Sequence, residues 1–159
     1  MARIIFNSGD EFCEGLSRVA GKSEEISKAA IYTGAEILTD EIRKNLTANL
    51  NDPESASVSG RSIFKNLYSK TSGSLLEALG ITPILQDENG VWNAKIGFGD
   101  PDYDPKGVPN LLKARVMESG SSTIRKRPFI RPAVTAKKKE VLEAMQQVVD
   151  DEIKKNMKG

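Results

Sequence analysis

The sequence predicts an α+β fold in which a small antiparallel sheet is packed by a long helix from the N-terminal half and by a C-terminal helix. Three patterns indicate it: a stripe of small and apolar residues before residue 50, an alternating strand pattern after residue 90, and an amphipathic pattern near the end. The length of 159 residues fits a single domain, 1–159. We expect a helical part (1–50), long loops (51–73 and 99–110), a β-rich part (74–131) and a C-terminal helix (132–156).

Two helices are predicted in the helical part. The first begins at Ser8, because a serine followed three residues later by Glu11 satisfies two free backbone amides, and Gly21 predicts its end. The second runs from Ser23 to about Leu50. Because the middle of its apolar stripe is rich in alanine and glycine, we expect another element to pack closely on Ala30, Ile31, Gly34, Ala35, Leu38, Ile42 and Leu46.

A β-hairpin gives the clearest strand pattern. The runs Ile81–Gln86 and Val91–Phe98 flank a turn that ends in Asn89-Gly90, a pair that tolerates positive φ angles. The alternation predicts one shared face for Trp92, Ala94, Ile96 and Phe98. A short helix over 74–80 precedes the hairpin. The run 111–117 fits either a third strand or a short helix.

The last part of the chain combines a turn, an extended segment and a helix. A turn is expected over 120–123, followed by the basic, extended segment Arg125–Pro132. Pro132 is predicted at the first position of the final helix, where its missing N–H costs nothing. The apolar stripe of this helix consists of Val141, Leu142, Met145, Val148, Val149 and Ile153.

The composition argues against an enzyme. The chain has no histidine and one cysteine, Cys13, which excludes histidine-based triads, HExxH zinc sites and an intrachain disulfide. Cys13 is expected to be a half-buried residue of the first helix. The aspartates at 100, 102 and 104 alternate like calcium ligands, but Pro105 and Leu111 stand where a calcium loop needs Gly and Glu. We therefore expect no cofactor and no catalytic or metal site, a metal-dependent enzyme using the Asp100–Asp104 loop being the weakest alternative.

Neither end of the chain predicts a membrane protein. No run approaches the ~18 apolar residues of a membrane span, and the first ten residues are too polar for a signal peptide. We expect the chain to stay in a reducing, soluble compartment.

Charge is distributed unevenly along the chain. Residues 1–60 carry 6 Lys/Arg against 10 Asp/Glu, whereas residues 113–159 carry 12 against 6. Such polarity is typical of a surface that meets an anion or an oppositely charged neighbour, the alternative being solvated surface charge. One expected surface, facing an anion or an acidic neighbour, comprises Arg125, Lys126, Arg127, Lys137, Lys138 and Lys139.

The segment around Phe129 favours a contact between subunits. Its two prolines, four residues apart, fix an extended backbone that carries an aromatic residue between arginines. Aromatic and arginine side chains supply much of the binding energy at protein interfaces. The predicted interface residues are Pro128, Phe129, Ile130, Arg131 and Pro132. In the alternative, which is compatible with the first, Phe129 attaches the last helix to its own domain.

The sequence resembles the tail-component, or neck, family of long-tailed bacteriophages, named after gene product ten of a lambdoid phage. The most specific motif is RPFIRPA at 127–133, followed by an amphipathic helix. The upstream MESGSS at 117–122 is similar to the family's strand end, and TSGSLLEALGI at 71–81 is similar to its T-G-x-L-x-x-S-I element. The resemblance extends from about residue 23 onward.

This resemblance implies a structural virion protein that forms a ring, expected to be a hexamer, at the head–tail junction. Its partners would be copies of itself, the neighbouring head-closure, tail-terminator or tail-tube proteins, and packaged double-stranded DNA without sequence preference. The protein would be assembled in the bacterial cytoplasm and reside in the virion. Two alternatives remain: a nonspecific nucleic-acid-binding protein that uses the basic stretch 113–139, and a tail terminator that caps the tail tube.

Overall fold

The computed structural model describes residues 8–51, 72–99, 109–122 and 124–158. The fold class is α+β as predicted, with helices forming most of it and the strands forming one interrupted antiparallel hairpin. In chain order the elements are α1 (Ser8–Gly21), α2 (Ser23–Asn51), α3 (Ser72–Glu77), β1 (Leu79–Ile81), β2 (Leu85–Gln86), β3 (Trp92–Asn93), β4 (Ile96–Phe98), α4 (Asn110–Ser119) and α5 (Ile130–Lys158).

The two long helices, α2 and α5, pack against each other in an antiparallel pair. Gly34 of α2 faces Met145 of α5, while Asn45, further along α2, reaches the carbonyl of Phe129 just before α5 begins. A Cβ atom at Gly34 would lie 2.7 Å from the Met145 sulfur and 3.1 Å from Val141 Cγ1. The predicted close packing on the small-residue stripe of α2 is therefore confirmed.

The first helix has the predicted bounds but a more exposed apolar face than expected. It packs on the C-terminal end of α5, where Arg18 Nε donates a hydrogen bond of 2.9 Å to the Asn156 carbonyl. Phe12 is 56 % exposed and Leu16 49 % exposed. Cys13 is exposed rather than half-buried, because the contact with α5 falls on the side of α1 that carries Gly15 and Arg18.

The hairpin is present, but its strands are shorter than predicted. Strand β1 pairs with β4 and β2 pairs with β3, both antiparallel, around the predicted turn. Pro83 falls in the interruption of the first strand and has no N–H to give to a ladder. Thr82 still bridges the gap: its N–H donates to the Lys95 carbonyl and its hydroxyl accepts from the Lys95 N–H. The predicted face of β3 and β4 is half-buried.

The run 111–117, for which strand and helix were both open, lies in the helix α4. The buried residues of α4 recur at helical spacing, at Asn110, Lys113, Ala114, Val116 and Met117. Two expectations are wrong as a result: the part 74–131 is not simply β-rich, and the MESGSS motif ends a helix instead of a strand. The buried periodicity of α4 follows 3.6 residues, whereas a strand would alternate by two.

The core lies where α2, α4, β1 and the start of α5 meet. Its largest fully buried apolar side chains are Phe129, Leu46, Leu75 and Met117. The predicted stripe of α5 is only partly covered, since Leu142 is 58 % exposed and Ile153 37 % exposed. The loop predictions for 51–73 and 99–110 fall largely on residues outside the described part of the chain.

Candidate functional site

The predicted interface segment has Phe129 at its centre, and this side chain is fully buried within its own chain. Its exposed fraction is 0 %, and its ring meets the ring of Phe98 edge-to-face with centroids 6.0 Å apart. The aromatic ring thus connects the beginning of α5 to strand β4 and to the core. This is the role that the sequence left open as the alternative to a subunit contact.

Glu118, near the end of α4, caps the first turn of α5. Its carboxylate accepts hydrogen bonds from the N–H groups of Phe129 (2.8 Å), Ile130 (2.9 Å) and Arg131 (3.1 Å). The first N–H groups of a helix have no acceptor within the helix, and a carboxylate there also stabilises the helix dipole. The next residue, Pro132, has no N–H to satisfy.

This cap corrects the predicted start of the last helix. Pro132 is the third residue of α5 rather than the first, because the helix begins at Ile130. A proline fits anywhere in the first turn, where no intrahelical hydrogen bond is lost. The extended part of the segment is therefore shorter than predicted and ends at Phe129.

Two asparagines of α2 hold the other side of the segment. Asn45 Nδ2 donates to the Phe129 carbonyl at 3.3 Å, and Asn49 Nδ2 donates to the Arg127 carbonyl at 3.0 Å. The asparagines are four residues apart, so they lie on one face of α2. The extended backbone from Arg127 to Phe129 is thus fixed between α2 and the carboxylate of Glu118.

A glycine turn leads the chain from α4 into this segment. Gly120 has a φ of 78°, which favours glycine, and a Cβ atom there would lie 3.0 Å from the Lys126 nitrogen. The Arg127 N–H donates a hydrogen bond of 2.7 Å to the Met117 carbonyl. The chain therefore folds back tightly over the end of α4, which places Phe129 beside Glu118.

The remaining predicted interface residues lie on or near the surface. Pro128, Arg131 and Pro132 are exposed and Ile130 is half-buried. The Arg131 side chain is 85 % exposed, with its Nε 4.0 Å from Glu118 Oε1. Their contact with a second copy stays a prediction. In such a contact the buried Phe129 would position the exposed residues on either side of it.

The basic residues predicted to face DNA or an acidic neighbour do not form one uniform surface. Arg125 and Lys126 are exposed before α5, and Arg127 is half-buried. On α5, Lys137 pairs with Glu140 and Lys139 pairs with Glu143. The hydrogen bond to Glu140 raises the pKa of Lys137 above its ordinary value, with Glu41 contributing. The third lysine, Lys138, borders a small apolar depression beside Leu142 instead.

An apolar groove runs beside strand β4. It has a volume of about 620 Å³ and lies between β4, α4, α5 and the middle of α2. Its apolar lining includes Leu38, Ile42, Ile96, Phe98, Leu111, Ile130 and Val134. A smaller apolar depression beside Leu142 continues it along α5 through the shared residues Leu38 and Val134. Arg115 and Glu118 are among its polar lining residues.

The described residues offer little for other kinds of site. Within the ranges given above, no cluster of three or more potential metal ligands is present, and no helix there is long and apolar enough to cross a membrane. The Asp100–Asp104 loop lies outside those ranges. Comparison with protein-family models, with curated proteins and with solved structures finds no match.

The segment was predicted from the sequence, whereas the residues that hold it were not. Glu118 was part of a motif without an assigned role, and the spacing of Asn45 and Asn49 was not recognised as a backbone clamp. A signal for the asparagines was available, since two amides at i and i+4 on a helix can follow an extended chain alongside it. The partner of Glu118 depends on tertiary structure, 11 residues away in sequence.

Proposed function

We propose that this chain is a structural virion protein of a tailed bacteriophage, a ring-forming neck or tail-completion component that joins the head-closure ring to the tail tube. The proposal rests on the resemblance carried by RPFIRPA. Its main structural support is that this motif is a rigid surface element, held by Glu118 on one side and by Asn45 and Asn49 on the other.

A rigid surface element suits assembly for an energetic reason. Ordering a loop upon association reduces affinity, because each immobilised side chain costs about 0.5–1.5 kcal/mol. Here Pro128, Arg131 and Pro132 are exposed on a backbone that is already fixed. A copy that binds this surface would not have to order it first, which favours repeated contacts within a closed ring.

The proposed partners are further copies of this chain in a ring, expected to be a hexamer, and the head-closure, tail-terminator or tail-tube proteins on either side. Packaged double-stranded DNA would pass through the lumen. Arg125 and Lys126 are the exposed residues before α5 that could contact phosphates without reading sequence. The location would be the virion, after assembly in the bacterial cytoplasm.

Deletion of the gene from the phage genome that encodes this chain tests the proposal. We expect DNA-filled heads and complete tails of normal length that fail to join, with joining restored by the purified protein. Tails of abnormal length would instead identify a tail terminator and contradict the assignment. Normal, infectious particles without the chain would contradict a structural role altogether.

A further inference from the structure

The tip of the β-hairpin exposes two apolar side chains on a rigid turn. Leu85 is 65 % exposed and Val91 57 % exposed, although both belong to or flank short strands. The Asp87 carboxylate accepts hydrogen bonds from the N–H groups of Asn89 (2.9 Å) and Val91 (2.8 Å). Gln86 Nε2 donates to the Gly90 carbonyl at 2.7 Å. The tip is thus preorganised, and it carries two acidic residues, Asp87 and Glu88, beside the apolar ones.

The apolar groove has the complementary character. Leu111 is 66 % exposed and Val134 42 % exposed, and both line it. Cations stand around it: Arg115 lines it from α4, and Lys138 borders its continuation on α5. Arg131, whose Nε lies 4.0 Å from Glu118 Oε1, is seven residues before Lys138, so both share one face of α5. The acidic lining residue, Glu118, is already engaged by three backbone N–H groups.

The hairpin cannot place its tip in its own groove. Ile96 and Phe98, at the base of the same hairpin, form part of the groove wall. The tip lies at the opposite end of the hairpin, and the hydrogen-bonded pairs of β1 with β4 and β2 with β3 keep it there. A contact between the acidic, apolar tip and the cationic, apolar groove would therefore need two copies of the chain.

We infer that the hairpin tip of one copy, residues 85–91, docks into the apolar groove of the next copy. The contact is heterologous, since two different surfaces meet, and repetition of such a contact produces a ring when the rotation closes. Leu85 and Val91 would be buried against Leu111 and Val134, and the acidic tip would face the cationic rim. This inference rests on the proposed ring and assigns its interface.

Complementary variants test the inference on the full-length chain. Val91→Glu disables the tip and Leu111→Glu disables the groove, and both positions are exposed, so the fold is expected to survive. Each variant should lose self-association by about tenfold or more in Kd. An equimolar mixture should form a 1:1 pair and nothing larger, because one intact tip and one intact groove remain. Phe12→Glu, an exposed apolar position outside both surfaces, is the matched control.

Sedimentation velocity measures the association, and disulfide trapping measures the contact itself. In a Cys13→Ser background, Val91→Cys and Leu111→Cys in one chain should give cross-linked oligomers, in solution or in assembled particles. The inference is overturned if the charged variants assemble like the wild type, if their mixture does not pair, or if an existing ring fails to cross-link. A ring that forms but does not cross-link would contradict only the hairpin contact and leave the proposed function intact. If this chain forms no ring in solution or in particles, the proposed function fails as well.

Discussion

At the scale of single residues, one carboxylate accounts for the geometry of the RPFIRPA segment. Glu118 receives three consecutive N–H groups at the start of α5, and Pro132 removes the next one. The start of a helix leaves four backbone N–H groups without acceptors. Here three of them donate to Glu118, and the fourth does not exist because residue 132 is proline. The glutamate side chain is only 11 % exposed, so water is a poor substitute for it.

Replacement of Glu118 should therefore be costly. We expect Glu118→Ala to lower the free energy of unfolding by about 1–3 kcal/mol, because three N–H groups lose a charged acceptor. Glu118→Gln should recover part of this loss through its remaining carbonyl oxygen. Urea unfolding followed by circular dichroism gives the values. The control is Glu140→Ala, whose exposed pair with Lys137 should change stability by less than ~1 kcal/mol. Equal losses at both positions would refute the capping role.

Phe129 provides the second test at this scale. Phe129→Ala should destabilise the chain by about 3–5 kcal/mol, since it removes a fully buried ring from the core. Thermal unfolding measures the effect, and Phe12→Ala, at a 56 % exposed position, is the matched control. A Phe129→Ala variant with the unfolding temperature of the wild type that fails to assemble would show that this side chain acts at the subunit interface.

At the scale of elements, the bounds of α1 and α2 could be predicted because capping residues and glycine mark them locally. The hairpin turn was predictable for the same reason. The interruption at Pro83 was not predicted, although the proline is visible in the sequence, and for 111–117 the sequence left strand and helix both open. The MESGSS motif favoured a strand end at this point. The helix forms instead because Ala114 and Met117 of α4 pack into the core.

The α2–α5 pair depends on a small residue at its crossing. Gly34→Val should lower the free energy of unfolding by about 1–3 kcal/mol, because the added atoms collide with Met145 and Val141. Ala29→Val, at an exposed position of α2, measures the cost of valine in a helix alone, about 0.6 kcal/mol. If Gly34→Val lowers the free energy of unfolding no more than Ala29→Val does, close packing of α2 on α5 at Gly34 does not contribute to stability.

At the scale of the whole molecule, the uneven charge of the sequence is partly neutralised by the fold. Lys137 and Lys139 pair with glutamates one turn away, whereas Arg125 and Lys126 are exposed. The sequence located the excess of positive charge, but the local pairing on α5 decides which cations remain available. The cationic groove rim was not foreseen, since it combines α4 with α5.

This distribution makes a prediction for DNA. Arg125→Ala/Lys126→Ala should reduce the slope of log K against log salt by about 2 for duplex DNA, because two phosphate contacts are lost. Lys137→Ala/Lys139→Ala should change the slope less. Fluorescence anisotropy over a salt series measures both. If the slopes of the two double variants are the same, the cations before α5 face an acidic neighbour instead of the lumen.

The proposed function places copies of this chain in a collar between the head and the tail of a phage particle. Electron cryomicroscopy of virus particles that contain this chain, with each chain traced in the neck, tests this proposal. We expect a closed ring of this chain at the junction, with the surface of Pro128–Pro132 and the hairpin tips contacting neighbouring subunits. A neck in which this chain is absent, or is present as isolated copies with those surfaces facing solvent, would contradict it.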